Sequence, residues 1–243
     1  MAIFNVGNRI IEPGTWPWGF PGAKRDTFFS PGEKALMFNG SSYVKVTGFP
    51  SFDNASFTAV GWFKKTKPLG TGGSGDRFSL FRHSGTHWSP GMWYNGNTIR
   101  GHAKKSSSGI YVEAPWAQDT EWHFIGEVFD SATGTLRIVL DEEILSGSST
   151  SYESSVGSGD LFIGDEDANS AYSFEGYICG LQFYDIALDD ATILSRKNKI
   201  LTGSETGLVA YYPASDGVGD ILRDASGNGR DGTITGATWA TSV

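Results

Sequence analysis

The stretch "FEGYICGLQFYDIALDDATI", residues 174–193, begins as a strand and ends as a helix. Phe174, Ile178, Leu181, Phe183 and Tyr184 are the aromatic and aliphatic side chains that strands favour. Asp185 breaks the run. Leu188-Asp189-Asp190-Ala191 then reads as the cap and first turn of a short helix. Such a junction has two meanings. It is either the edge of an α/β unit that holds a ligand, or a seam in an all-β protein, and the flanking sequence decides which.

Working outward, strand signals recur about every 8 to 15 residues from Lys34 onward. "KALMF" (34–38) is followed by the turn "NGSS" and by "YVKVTG" (43–48). In "SFTAVGWFKK" (56–65), Phe57, Ala59, Gly61 and Phe63 fall on one face, and Thr58, Val60 and Trp62 on the other. "RFSLFRH", "GMWYNGNTIRGHA", "GIYVEA", "EWHFIGEVFD", "GTLRIVLDEEIL", "LFIG" and "GLVAYYPA" continue the series. Asn95-Gly96 is a hairpin signal. The one convincing helix lies near 189–199. About a dozen short strands with Gly-rich turns, and no βαβ unit, predict an all-β antiparallel sandwich or jelly roll with one short helix. Within it, residues 174–185 read as a central strand that is apolar on both faces. Simple alternation puts Cys179, Leu181 and Phe183 on one side and Ile178 and Tyr184 on the other. Gly176 and Gly180 give room for close packing or curvature. "IALDDATI" turns over the sandwich edge, with Leu188 as its plug.

Composition agrees. The 243 residues suffice for a sizeable core, and with 33 glycines and only 19% charged residues the chain is turn-rich and neither helical nor disordered. The net charge of −8 gives no basic footprint for nucleic acid. The single cysteine, Cys179, rules out an internal disulfide. No apolar run approaches about 18 residues, so no membrane insertion is expected. The first residues, "MAIFNVGNRI", lack the charged start and apolar stretch of a secretory signal. Synthesis in a cytoplasm is the expectation, with a later place on a virion surface left open.

Residues 1–33 differ from the rest. Trp16, Trp18, Phe20, Phe28 and Phe29 stand among Pro13, Pro17, Pro21 and Pro31. Proline forbids long regular structure, and the segment is too aromatic for a free linker. It reads as an extended arm, either packed across its own domain or docked on another subunit.

Five motifs together resemble laminin-G-like domains of the concanavalin A-like lectin/glucanase superfamily. They are "ALMFNGSSYVKV", "SFDNASFTAVGWFKK", "EWHFIGEVFDSATGTLRIVLDEEIL", "FEGYICGLQFYDIALDDATI" and "GLVAYYPASDGVGDILRDASGNGRDGTITGATWA". The resemblance spans about residues 34–240 and implies a domain over 34–243. Two departures stand out. Glu142 follows Asp141 where the family commonly turns on Gly, which weakens the expectation of a tight turn. Cys179-Gly180 stands where an acidic residue often follows the Ile.

The resemblance allows three chemistries. Glycosidases on this fold take their carboxylates from one strand as E-x-D-x-x-E, and hydrolysis needs two carboxyl groups about 5 to 9.5 Å apart. No such run occurs here, and Glu121 and Glu127 lie about 20 Å apart at strand rise. His83, His87, His102 and His123 are scattered, without a nucleophile elbow. Calcium takes six to eight oxygens, and the similarity directs attention to Asp53 and Asn54 in one loop and Asp165 and Asp167 in another. "DASGNGRDG" (224–232) offers further oxygens but reads as a turn in which Asp224 caps backbone amides. Carbohydrate contact needs exposed flat aromatics with polar neighbours. Trp88, Trp93, Tyr94 and Trp116 are the candidates, with Tyr111 beside them, while Trp62 and Trp122 read as core.

The expectation is therefore a non-enzymatic, lectin-like surface module. The aromatic arm would anchor it to other subunits, such as a phage capsid or tail, and the sandwich would face outward towards glycans. A free calcium-dependent lectin is the alternative, and a polysaccharide-degrading enzyme on the same fold comes third.

Overall fold

The computed structural model describes residues 29–52, 55–66, 79–83, 98–101, 110–115, 119–148, 159–165 and 173–243, together with the backbone of 5–6, 9–10, 91–94, 102–105 and 108–109. In chain order the strands are β1 (Asn5–Val6), β2 (Arg9–Ile10), β3 (Lys34–Asn39), β4 (Tyr43–Phe49), β5 (Phe57–Lys65) and β6 (Phe81–His83). Next come β7 (Gly91–Tyr94), β8 (Thr98–Lys105), β9 (Ser108–Pro115), β10 (His123–Asp130), β11 (Thr135–Leu140) and β12 (Glu143–Ser148). The chain ends with β13 (Gly159–Ile163), β14 (Glu175–Tyr184), helix α1 (Asp190–Arg196), β15 (Leu208–Tyr212), β16 (Ile221–Leu222), β17 (Gly232–Thr235) and β18 (Thr238–Thr241). No helix among the described residues is long and apolar enough to cross a membrane.

An eight-stranded antiparallel sheet has the order β12-β11-β10-β5-β14-β3-β18, with β15 beside the C-terminal half of β14. A five-stranded sheet, β16-β17-β4-β13-β6, and a three-stranded sheet, β7-β8-β9, lie against its inner face. The contacts show how. Phe183 of β14 meets Phe49 of β4 at 5.3 Å and Phe81 of β6 at 5.4 Å, both edge-on. Farther along, Gly101 of β8 lies against Glu127 and Ile138, and Gly147 of β12 against Val112 of β9. Aromatic rings fill this interlayer. Burying each contributes about 1.5–3 kcal/mol, and edge-on geometry adds to it. Among the described residues the predicted all-β sandwich with one short helix is the observed fold.

The opening stretch is the central strand β14, paired with β5 on one side and with β3 and β15 on the other. Simple alternation fails along it. Cys179 pairs with Trp62, but Gln182 pairs with Val60, so β14 carries one more residue than β5 over this span. The extra residue is a bulge at Gly180, whose φ of +62° suits glycine. As a result Ile178, Leu181 and Phe183 face the interlayer, and Cys179, Gln182 and Tyr184 face outward. Leu181 stays inside because its side chain rides over Gly61.

The outer face is covered too, which is why β5 and β14 are apolar on both sides. Asp189 caps α1 by accepting from the Thr192 N–H at 2.8 Å. Thr58 pins the turn before the helix, donating to Ile186 O at 2.8 Å and accepting from Leu188 N at 3.0 Å. Trp62 Nε1 donates to Lys197 O at 2.8 Å, and Arg137 pairs with Asp190 and donates to Leu188 O. Trp62 is core, as expected, and Leu188 is the buried plug. Trp122 is only half-buried. It precedes β10, and its Nε1 donates to Val243 O at 3.1 Å. Three strands that the sequence pattern did not single out, β16 to β18, close the two sheets.

Candidate functional site

Where their side chains are described, β8 (98–101) and β9 (110–115) turn one face to the interlayer and one to solvent. Ile99, Ile110, Val112 and Ala114 are buried. The alternate positions point out, and Tyr111 is 50% exposed. The Arg100 guanidinium sits 5.3 Å from the Tyr111 ring centroid, within cation–π reach. Glu113 accepts from Arg100 Nε at 2.6 Å. The register aligns Trp93, Arg100 and Glu113 in one row across the three strands, beside a row of Gly91, His102 and Tyr111. The result is a strand-borne surface with an aromatic ring, a fork of N–H donors and one carboxylate. Aromatic faces stack on the apolar faces of sugars, and the donor–acceptor pair can bind adjacent hydroxyls. Trp93 and Tyr94 lie on β7, while Trp88 and Trp116 fall outside the described residues. Arg100 and Glu113 were missed in the sequence reading. Alternation in "GIYVEA" carried the signal, since it sets Tyr111 and Glu113 against Ile110, Val112 and Ala114.

The acidic loops look different. Asp165 is buried, with its carboxylate accepting from Ser173 Oγ at 2.9 Å. Asp53, Asn54 and Asp167 lie outside the described residues. Among the described residues no group of three His, Cys, Asp or Glu side chains is placed to hold a metal ion. Asp224 caps backbone amides, as its sequence context predicts: its oxygens accept from the N–H groups of Tyr211, Ser226 and Arg230.

His123 is clamped between two carboxylates. Nε2 lies 2.8 Å from Asp119 Oδ1, and Nδ1 lies 2.7 Å from Asp141 Oδ2. Both ring nitrogens can donate only when the imidazole is protonated. Burial pushes the imidazole pKa down, and the hydrogen bonds to Asp141 and Asp119 outweigh it, so the pKa is raised. Burial pushes Asp119 and Asp141 up, and the bonds from His123 and from backbone amides outweigh that, so both are lowered. Asp141 also holds the β11–β12 turn, where it has a φ of 56° and bonds the Phe124 amide. A tight turn thus forms without the family's glycine.

The raised imidazole stabilises the fold fully below its unfolded pKa of about 6.5, and that contribution is lost as pH climbs through the folded value. The lowered carboxylates contribute above about 3.9 and lose their share as pH falls through their folded values. Urea midpoints of the wild type are therefore expected to drop between pH 5.5 and 8.5. In His123→Gln that drop should be largely absent. Parallel pH profiles in the two proteins would refute the clamp.

Of the five aromatic anchor candidates of the arm, Phe29 is described. Its N–H donates to Asn198 O at 2.7 Å, and its ring lies over Gly180. Trp16, Trp18, Phe20 and Phe28 lie outside the described residues.

Solved structures of other proteins share this architecture. One is a candidate carbohydrate-binding protein from Bacteroides ovatus, with a TM-score of 0.64 and 17% identity, over 86% of this chain and 60% of that one. This chain therefore spans less than two thirds of that protein. Another is a heptameric SAP-like pentraxin from Limulus polyphemus, with a TM-score of 0.52 and 15% identity, over 67% of this chain and 80% of that one. A third is the LG4-5 pair of mouse laminin alpha1, with a TM-score of 0.51 and 14% identity, over 73% of this chain and 46% of that one. At these identities the likeness shows the fold. No curated protein sequence matches the chain. The laminin G family model described as the concanavalin A-like lectin/glucanases superfamily matches residues 38–194, and with its two-layer antiparallel sandwich the chain belongs to that superfamily.

Proposed function

We propose that the protein is a non-enzymatic glycan-recognition module that binds saccharides on the outward face of β7-β8-β9. The observation that carries this is the exposed Tyr111 ring under Arg100, itself paired with Glu113 on the neighbouring strand. Because Arg100 is already neutralised by Glu113, the platform suits neutral sugar hydroxyls better than anionic groups. Trp93 and Tyr94 on β7, with Trp88 and Trp116 in the adjoining segments, would extend the stacking surface. The lectin-type fold supports the reading. So does the state of several carboxylates: Asp119 and Asp141 are engaged by His123, Asp224 by amides and Glu113 by Arg100.

The finer reading places this module on a virion. Residues 1–33 would anchor it through Trp16, Trp18, Phe20 and Phe28 to other subunits of a phage capsid or tail, Phe29 being held on its own domain over Gly180, and the sandwich over 34–243 would face outward. The aromatic and proline content of that arm supports it.

A glycan array tests the reading. Binding of neutral saccharides is expected, and Tyr111→Ala should weaken it about tenfold or more, roughly 1.4 kcal/mol, with an unchanged melting temperature because the ring is half exposed. Retained affinity in Tyr111→Ala would place the site elsewhere. Loss of binding in chelator would favour calcium at 53–54 and 165–167. Release of reducing sugar would establish an enzyme instead.

A further inference from the structure

The His123 clamp joins three separate pieces of chain. Asp119 belongs to the connection that follows β9, His123 opens β10, and Asp141 sits in the turn between β11 and β12. Each carboxylate takes one ring nitrogen, at 2.8 Å and 2.7 Å, so each bond needs its own N–H. A neutral imidazole has one N–H and one unprotonated nitrogen. One of the two bonds must therefore give way when the proton leaves, and a lone pair then faces a carboxylate oxygen.

The surroundings decide which bond survives. Asp141 cannot turn away. Its N–H donates to Phe124 O at 2.7 Å, and its Oδ1 accepts from Phe124 N at 3.0 Å. Lys197, just past α1, favours the charge on Asp141, while Glu142 lies 3.6 Å from the Lys197 ammonium. Asp119 is held more lightly. Besides His123, its carboxylate bonds the Glu121 N–H at 2.9 Å, and both residues are open to water, Asp119 partly and Glu121 fully. Water can take the place of the imidazole there at little cost. Trp122, next in the chain, stays fixed through Val243 O.

We propose that His123 is a pH-operated latch: deprotonation keeps Nδ1–H on Asp141, leaves Nε2 unprotonated against Asp119, and frees Asp119–Glu121 while β10 stays in place. The freed segment follows closely on Pro115, the end of β9, and β9 carries Tyr111 and Glu113. The latch thus sits at the foot of the candidate saccharide surface. Its bearing on binding rests on the glycan reading above, whereas the latch itself does not.

Two measurements on the full chain test this, with Asp119→Asn as the control. Asparagine can accept from a protonated ring and offer its own N–H to an unprotonated nitrogen, so it holds at either pH. Nitrogen NMR of the labelled imidazole is expected to show both nitrogens protonated at about pH 5.5, and Nδ1 alone protonated at about pH 9. Hydrogen exchange of the 119–121 amides is expected to match in the two proteins at the lower pH. At the higher pH it should run severalfold faster in the wild type. Loss of the proton from Nδ1 instead, or two protonated nitrogens at both pH values, would overturn the latch. So would equal exchange in the two proteins at the higher pH. Saccharide affinity of the wild type should fall severalfold from the lower to the higher pH and stay level in Asp119→Asn. A level wild-type affinity beside a working latch would overturn its coupling to the site. Absence of saccharide binding at both pH values would sink the glycan reading alone, because the spectra and the exchange decide the latch.

Discussion

Gly126→Ala is expected to destabilise the domain by more than about 3 kcal/mol. Gly126 sits on β10 directly opposite Val60 of β5, at the centre of the eight-stranded sheet. A Cβ there would lie 2.4 Å from Ala59 O and 2.7 Å from Val60 Cα, besides 2.3 Å from Val60 Cγ1. The last atom could swing away, but the first two belong to the backbone. Accommodating one methyl group therefore means parting two paired strands, with loss of ladder hydrogen bonds and of the close fit beneath them. A control separates this from a general sensitivity of strand glycines. In Gly147→Ala, on the edge strand β12, the new Cβ first meets Val112 Cγ2 at 3.0 Å, a side-chain tip that can turn. That substitution should cost less than about 1 kcal/mol. Urea titrations of both variants give the comparison, with insolubility of Gly126→Ala counted as the severe outcome. Equal midpoints for the two would show that the β5–β10 approach has more give than its geometry implies.

What the sequence made legible follows from the range of the interactions involved. Phe57 to Lys65 alternates over nine residues, and the observed faces agree with that alternation because no bulge intervenes on β5. The cap at Asp189 was equally readable, since cap and partner amide lie within one turn. Asp224 was readable for the same reason, with Ser226 and Arg230 close by in a Gly-rich turn. Parity on β14 was not. Gly180 hinted at curvature, but only the pairing with β5 shows that an extra residue reverses the faces of everything after it. The His123 clamp was also hidden, because Asp141 reaches it across a hairpin and reads in sequence as a turn residue. The surface built by Arg100, Tyr111 and Glu113 lies between these cases. Tyr111 and Glu113 follow from local alternation, whereas their meeting with Arg100 depends on the β8–β9 register. Trp88, Trp116, Asp53, Asn54 and Asp167 lie in segments outside the described residues.

Asp224→Ala is expected to cost about 3–4 kcal/mol, nearly as much as a core truncation, although the residue lies in a surface turn. The reason is the number of donors that converge on one carboxylate. Oδ1 accepts from Tyr211 N at 3.0 Å and Ser226 N at 2.9 Å, and Oδ2 from Arg230 N at 3.0 Å. Hydrogen bonds to a charged acceptor contribute about 1.5–3 kcal/mol each, less whatever water recovers at the exposed end. Tyr211 N is the donor water reaches least, because it belongs to β15 beneath the turn, where Ala225 N returns a bond to Tyr211 O at 2.8 Å. Asn228 holds the other side of the turn through Leu208 O and Val209 O, so losing Asp224 would release a turn that is tied to the strand at both ends. Asp224→Asn should lie between wild type and alanine, at about 2 kcal/mol. It keeps an oxygen for Tyr211 and Ser226 but turns an amide N–H towards the Arg230 N–H. The graded order Asp, Asn, Ala in thermal midpoint is the signature of an amide staple. The rival use of this loop, as a calcium ligand, makes the opposite demand. A calcium-dependent rise in the wild-type midpoint that vanished in both variants would mean that the carboxylate turns from its amides to a metal. With those oxygens already committed, addition of millimolar calcium is expected to leave the Asp224-dependent part of stability unchanged.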